Sequence, residues 1–188
     1  TPVKSDDFKI SATGIIYRQT LENSRLTVEG TMKDPTTGEE VKGTFAWPNK
    51  YDIPSRTGDC YVDWIFTPAE GYEEYAPATG TVTVTVEPAE LAGVSVRAPS
   101  TYYTGKPQHA STIAFGQSVD GTTVTFTYSD KVDGDYTSDG PTFTDAGTYT
   151  VYYKAEAANH KTAAGTFTVT IAPLPISLLS VSSICLLY

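Results

Sequence analysis

The sequence predicts an all-β protein built as two tandem two-sheet sandwiches. Three observations predict it. Thr, Val and aromatic residues alternate strictly over several stretches, Gly (15) and Pro (12) punctuate the chain at short intervals, and the alternating stretches return about 85 residues later. β-Branched and aromatic side chains suit a pleated, half-buried surface. Frequent Gly and Pro suit short strands joined by turns, and a fixed period signals one supersecondary unit used twice. A chain of 188 residues accommodates two such units, each small enough that its core must be well packed.

The elements follow in order. FKISATGIIYRQT (8–20) opens the first unit and VSVRAPSTYYTGKPQ (94–108) the second, which places Tyr17 on Tyr103. GTFAW (43–47) lies against TVTFTYS (123–129), matching Phe45 and Trp47 with Phe126 and Tyr128. Val62, Trp64 and Phe66 form the inward face of the next strand and match Tyr149, Val151 and Tyr153 at an offset of 87. YAPATGTVTVTV (75–86) then matches HKTAAGTFTVTI (160–171) at an offset of 85, with Gly80 on Gly165. In these last strands Val82, Val84 and Val86, and Phe167, Val169 and Ile171, alternate with threonines, the period of a strand with one buried face.

Unit 1 accordingly spans 8–88 and unit 2 spans 89–173. The junctions VEPAEL (86–91) and IAPLPI (171–176) carry Pro88 and Pro173. Proline fixes φ and lacks an N–H, so each ends a strand and stiffens the passage to the next unit. The apolar stretch 174–188 reads as the first strand of a third repeat cut short, because Tyr188 falls 85 residues beyond Tyr103. A non-native tail is the alternative. An orphan first strand is expected to pair with a neighbouring chain or to pack across the junction. Each unit offers six or seven strands, enough for a sandwich and too few for a closed porin-type barrel.

A net charge of −9 excludes phosphate backbones and anionic lipid as partners, since both would be repelled. No run approaches the roughly 18 apolar residues of a membrane-spanning helix, so no membrane insertion is expected. No signal peptide precedes Thr1, as in a mature segment. Two cysteines, Cys60 and Cys185, do not make a disulfide scaffold and are expected as free, packed thiols.

Catalysis is not expected. His109 and His160 have no neighbouring nucleophile signature. The pairs Glu39–Glu40 and Glu73–Glu74 are sequence neighbours, which point to opposite faces of a strand and cannot flank one scissile bond. Asp130, Asp133, Asp135 and Asp139 crowd DKVDGDYTSD (130–139). Calcium takes six to eight oxygens, which makes Asp130, Asp133 and Asp135 the candidate metal ligands. The spacing is not that of an EF-hand, however, and Asp-Gly is an ordinary hairpin signal, so a turn without metal or cofactor is the expectation. An intramolecular isopeptide bond to Lys9 is not expected, because the last strand of unit 1 (81–86) holds only Thr and Val.

Aromatic side chains stack on sugar rings through an apolar face. Trp47 and Trp64 are in phase with the core. Tyr51, Tyr72, Tyr102 and Tyr136 fall beside Gly, Pro or Asp in expected loops and are the candidate ligand-binding residues.

PTFTDAGTYTVYYKAEAANHKTAAGTFTVTIAP (141–173), with TYYTGKPQ (101–108), resembles the Ig-like repeats of large bacterial surface proteins. Unit 1, through IIYRQTLENSRL (15–26), GTFAW and the strand ending FTP (66–68), is similar to the sister repeat of MBG type, departing from it in a longer loop between Trp47 and Cys60. The resemblance covers nearly the whole chain. It implies two immunoglobulin-like sandwiches in an extracellular, bacterial cell-surface or secreted protein. A semi-rigid spacer or adhesion segment is the expected role, and a carbohydrate-binding accessory module of a surface glycan-processing protein is the alternative. The partners implied are other surface-protein domains, or host or environmental glycans or proteins. Fold alone does not choose among these.

Overall fold

The computed structural model describes residues 1–175. The expected orphan strand and Cys185 lie outside the described residues. Those residues are all-β, without an α-helix, and group into several sheets consistent with a β-sandwich. They divide into two compact units, Thr1–Ala89 and a second that begins at Glu90.

The first unit runs β1 (Val3–Lys4), β2 (Lys9–Ala12), β3 (Ile15–Ile16), a 3₁₀ turn (Leu21–Asn23), β4 (Leu26–Glu29), β5 (Met32–Lys33), β6 (Glu40–Val41), β7 (Gly43–Ala46), β8 (Gly58–Pro68) and β9 (Ala78–Glu87). Its main sheet has the order β3-β9-β8-β7, beside a β2–β4 ribbon and a small β1-β5-β6 sheet. The second unit runs β10 (Ala92–Arg97), β11 (Thr101–Tyr102), β12 (Gln108–His109), β13 (Ile113–Gln117), β14 (Thr125–Ser129), β15 (Thr142–Phe143), β16 (Gly147–Glu156) and β17 (Ala163–Ala172). Its main sheet has the order β11-β17-β16-β14, beside a β10–β13 ribbon and a β12–β15 pair.

The correspondence extends to individual bonds. β3 lies parallel to β9 (Ile15 opposite Val86), and β11 lies parallel to β17 (Thr101 opposite Ile171). The Tyr17 N–H then donates to the Glu87 carbonyl at 2.8 Å, as the Tyr103 N–H does to that of Ala172 at 2.8 Å.

Alternation decides which faces are buried. On β9, Val82, Val84 and Val86 are buried while Thr81, Thr83 and Thr85 are exposed. On β17, Phe167, Val169 and Ile171 are buried. In unit 1 the main sheet contributes Trp64, Phe66 and Val82 to a core that Met32 and Val41 complete from the small sheet, with Ile10, Ala12 and Leu26 from the ribbon at its margin. Unit 2 centres on Tyr128, Val151, Phe167 and Val169, with Val96 and Phe143 against them. In β13 the bulky residues point outward: Phe115 is 53% exposed and Ile113 47%.

The strand offset needs one correction. Trp64 lies opposite Gly80, and Tyr153 opposite Gly165. Trp64 therefore matches Tyr153, two residues on from the offset of 87. The difference sits in the hairpin connections beyond the last paired residues, 67–77 in unit 1 and 156–162 in unit 2. Loops absorb length changes that strands cannot, so pairing across the hairpin sets the match.

The shared glycines have a physical reason in this register. A Cβ on Gly80 would lie 2.5 Å from Trp64 Cζ2, and one on Gly165 would lie 2.7 Å from Tyr153 Oη. In each unit an aromatic ring lies across the strand over a glycine that leaves it room.

Candidate functional site

Tyr75 and His160, matched in sequence, each close a hairpin loop on an i−3 backbone bond, to Tyr72 O and to Ala157 O. Each also ties that loop to an earlier one. The Tyr75 hydroxyl donates to Asp34 Oδ2 at 2.8 Å. The Val119 N–H donates to His160 Nε2 at 3.1 Å, while His160 Nδ1 meets the Ala158 carbonyl at 2.7 Å, a pair of contacts satisfied by the Nδ1–H tautomer. His109, the other histidine, has Nδ1 3.1 Å from the Asp139 carbonyl.

Asp34 caps its own turn through the N–H groups of Thr36 and Thr37. The Thr37 N–H, then the Tyr75 hydroxyl, then the Thr36 N–H lower its pKa from 3.8 to about 2, and the same carboxylate pushes the Tyr75 phenol up to about 12. A lowered folded-state pKa stabilises above the ordinary value, and that contribution disappears as pH falls from 3.8 towards 2. In Tyr75→Phe the Asp34 carboxyl is expected to titrate nearer 3.8 by carbon-detected NMR. An unchanged midpoint would contradict the assigned bond.

The aspartate loop is a turn. The Tyr128 N–H donates to the Thr137 carbonyl at 2.8 Å, and that of Thr137 returns to Tyr128 at 3.0 Å, closing residues 129–136 into a loop. Asp130, Asp133 and Asp135 are exposed on it. They do not converge: among the described residues no group of three or more His, Cys, Asp or Glu side chains could hold a metal ion.

The four tyrosine candidates are not brought together. Tyr72 and Tyr136 are half-buried, contrary to the expectation of open loop positions. Tyr72 packs on the unit 1 core beside Tyr75. Tyr136 gives its hydroxyl to the Val132 carbonyl and has its ring 4.1 Å beneath the Lys154 ammonium. A Gly or Asp neighbour marks a loop, but tertiary partners decide the burial. Tyr102, 54% exposed, lies on edge strand β11, and Tyr51, 63% exposed, on the β7–β8 connection.

That connection (47–57) is the best-formed candidate site. It is shorter than the 130–146 path joining β14 to β16, which carries β15. The Leu21 N–H donates to the Asp52 carbonyl at 2.9 Å and the Glu22 N–H to that of Lys50 at 2.7 Å, docking the loop on the 3₁₀ turn. Asn49 folds the tip: its amide donates to the Asp52 carboxylate, and its oxygen accepts the Tyr51 N–H at 3.2 Å. Lys50 meets Glu22 at 2.6 Å and lies 5.0 Å over the Tyr51 ring. Its hydrogen bond to Glu22 raises the ammonium pKa, although an exposed pair of this kind adds little to stability. Trp47 is half-buried, and its indole N–H donates to the Ser24 carbonyl at 2.9 Å.

Two grooves flank the loop. One, of about 540 Å³, is lined by Trp47, Tyr51, Asn49, Arg25 and Glu22. The other, of about 490 Å³, is lined by Ile53, Arg56, the free thiol Cys60 and Tyr61, which is 80% exposed. Arg25, Asn49 and Tyr61 were not among the sequence candidates. Tyr61 was legible, because it stands out of phase with the inward Val62, Trp64 and Phe66. Asn49 and Arg25 act through a fold that strand periodicity does not report.

The chain matches no protein-family model and no curated protein. No helix among the described residues is long and apolar enough to cross a membrane.

Proposed function

We propose that this chain is a non-enzymatic segment of a bacterial cell-surface or secreted protein, formed of two immunoglobulin-like units in tandem and serving as a semi-rigid spacer or adhesion segment. One observation carries the reading: both units have the same main-sheet order, and each leaves through a strand paired in parallel with an early one, β9 with β3 and β17 with β11. When a unit is pulled from its ends, the antiparallel strands at its entry, β1 and β2 in unit 1 and β10 in unit 2, peel first. The load then reaches parallel strands whose hydrogen bonds lie across the pulling direction and must break together. A module under tension is served by that order of events.

The junction agrees with the same role. Only Pro88, Ala89, Glu90 and Leu91 separate β9 from β10. Ala89 is 3% exposed and packs with Ile15, Tyr17 and Val86 of unit 1, so a short stretch already anchored at one side leaves little slack.

Single-molecule stretching of the chain between flanking reference domains is the test. Two separate unfolding events are expected, each releasing about 25–30 nm at roughly 3.6 Å per residue. Substituting Tyr17 with Pro, which removes the N–H that donates to the Glu87 carbonyl of β9, is expected to lower the force of one event only. A featureless extension, or a single event for the whole chain, argues against the spacer reading.

A further inference from the structure

We infer that the groove beside Trp47 and Tyr51 binds a neutral polysaccharide. Three observations point to this ligand class. First, the groove combines an exposed phenol ring and a fixed indole with polar groups from Arg25, Asn49 and Glu22. A sugar asks for this mixture, presenting C–H faces to aromatic rings and hydroxyls to amide and charged groups.

Second, the loop is already ordered. Two main-chain bonds to the 3₁₀ turn, the Asn49 side-chain bonds and the Lys50–Glu22 pair hold it, so binding costs little further loop entropy. The Lys50 ammonium occupies one side of the Tyr51 ring at 5.0 Å, and Tyr51 remains 63% exposed. A ring fixed on one side and open to solvent on the other is a stacking platform for a sugar face.

Third, charge selects within the class. The protein carries −9, which repels polyanionic glycans at a distance. Lys50 is already neutralised by Glu22 at 2.6 Å. Among the described residues Arg25 is the one further cation lining the groove, and a single guanidinium makes no cluster for uronates or sulfates, so a neutral hexose polymer is the chemistry favoured.

The test is native affinity electrophoresis of the full chain through gels containing soluble xyloglucan, galactomannan, mixed-linkage β-glucan or starch, with polygalacturonate as the anionic control. At least one neutral polymer is expected to retard the protein. Tyr51→Ala is expected to weaken that binding tenfold or more, Tyr51→Phe to keep most of it, and Tyr102→Ala to leave it unchanged. Because Tyr51 is mostly exposed, Tyr51→Ala should melt like the parent protein. NMR shift changes on adding the retarding polymer should centre on residues 22–25 and 45–51. The inference is overturned if no neutral polymer retards the chain, which would leave the groove to a protein partner. Retardation by polygalacturonate alone, equal binding by Tyr51→Ala, or loss of binding in Tyr102→Ala overturns it as well.

Discussion

Gly80→Ala is expected to destabilise unit 1 by about 1–3 kcal/mol, the usual cost of overpacking a filled core. The new methyl would lie 2.5 Å from Trp64 Cζ2 and 2.8 Å from Cε2. The indole cannot swing aside easily, because it is fully buried with Phe45 at 5.4 Å and Phe8 at 5.9 Å between ring centroids. Trp64→Ala alone is expected to cost about 3–5 kcal/mol through the cavity it leaves. Its indole N–H has no hydrogen-bond partner among the described residues, a penalty of about 1–3 kcal/mol that removal of the ring relieves, so the lower part of the range is expected. With the ring gone, Gly80→Ala should become neutral or slightly stabilising, since alanine is better tolerated in a strand than glycine by about 0.5–1 kcal/mol. Urea denaturation of the four proteins completes the cycle. Additive losses would show that the ring and the glycine are not coupled. Gly165→Ala should cost less, because Tyr153 is only half-buried and can move.

Gly43→Ala is expected to be at least as damaging, by about 2–3 kcal/mol, the upper part of the overpacking range. A Cβ here would lie 2.4 Å from Phe66 Cζ and 2.4 Å from the Thr67 carbonyl oxygen. The second contact is main chain, and relieving it shifts β7 against β8, where Gly43 faces Pro68 and Phe45 faces Phe66. Melting temperature should fall by about 4–8 °C per kcal/mol for a unit of this size, and exchange protection of residues 43–46 should fall with it. A melt within 1 °C of the parent would mean that the strands have room the register denies them.

How far the sequence speaks depends on element length. The β8–β9 and β16–β17 hairpins were legible because ten or eleven residues of alternation leave one reading of the buried face. Two-residue strands such as β1, β5, β12 and β15 carry no period and were not. Gly80 and Gly165 could be aligned from sequence, but their purpose requires the register, which the unequal hairpin loops conceal. Tyr75 and His160 likewise share a position, while their partners Asp34 and Val119 lie 41 residues away in each case. In the candidate groove Tyr51 was visible as a loop aromatic. What makes it a site is Asn49 folding the tip and the 3₁₀ turn receiving it, and neither follows from composition or spacing.

The account rests on each unit folding around a core of its own. Residue-resolved NMR of Trp64→Ala in mild urea tests this most directly. The account predicts that amides of residues 1–89 lose native dispersion while those of 90–172 keep their positions and exchange protection. Loss of both sets in one transition would contradict it.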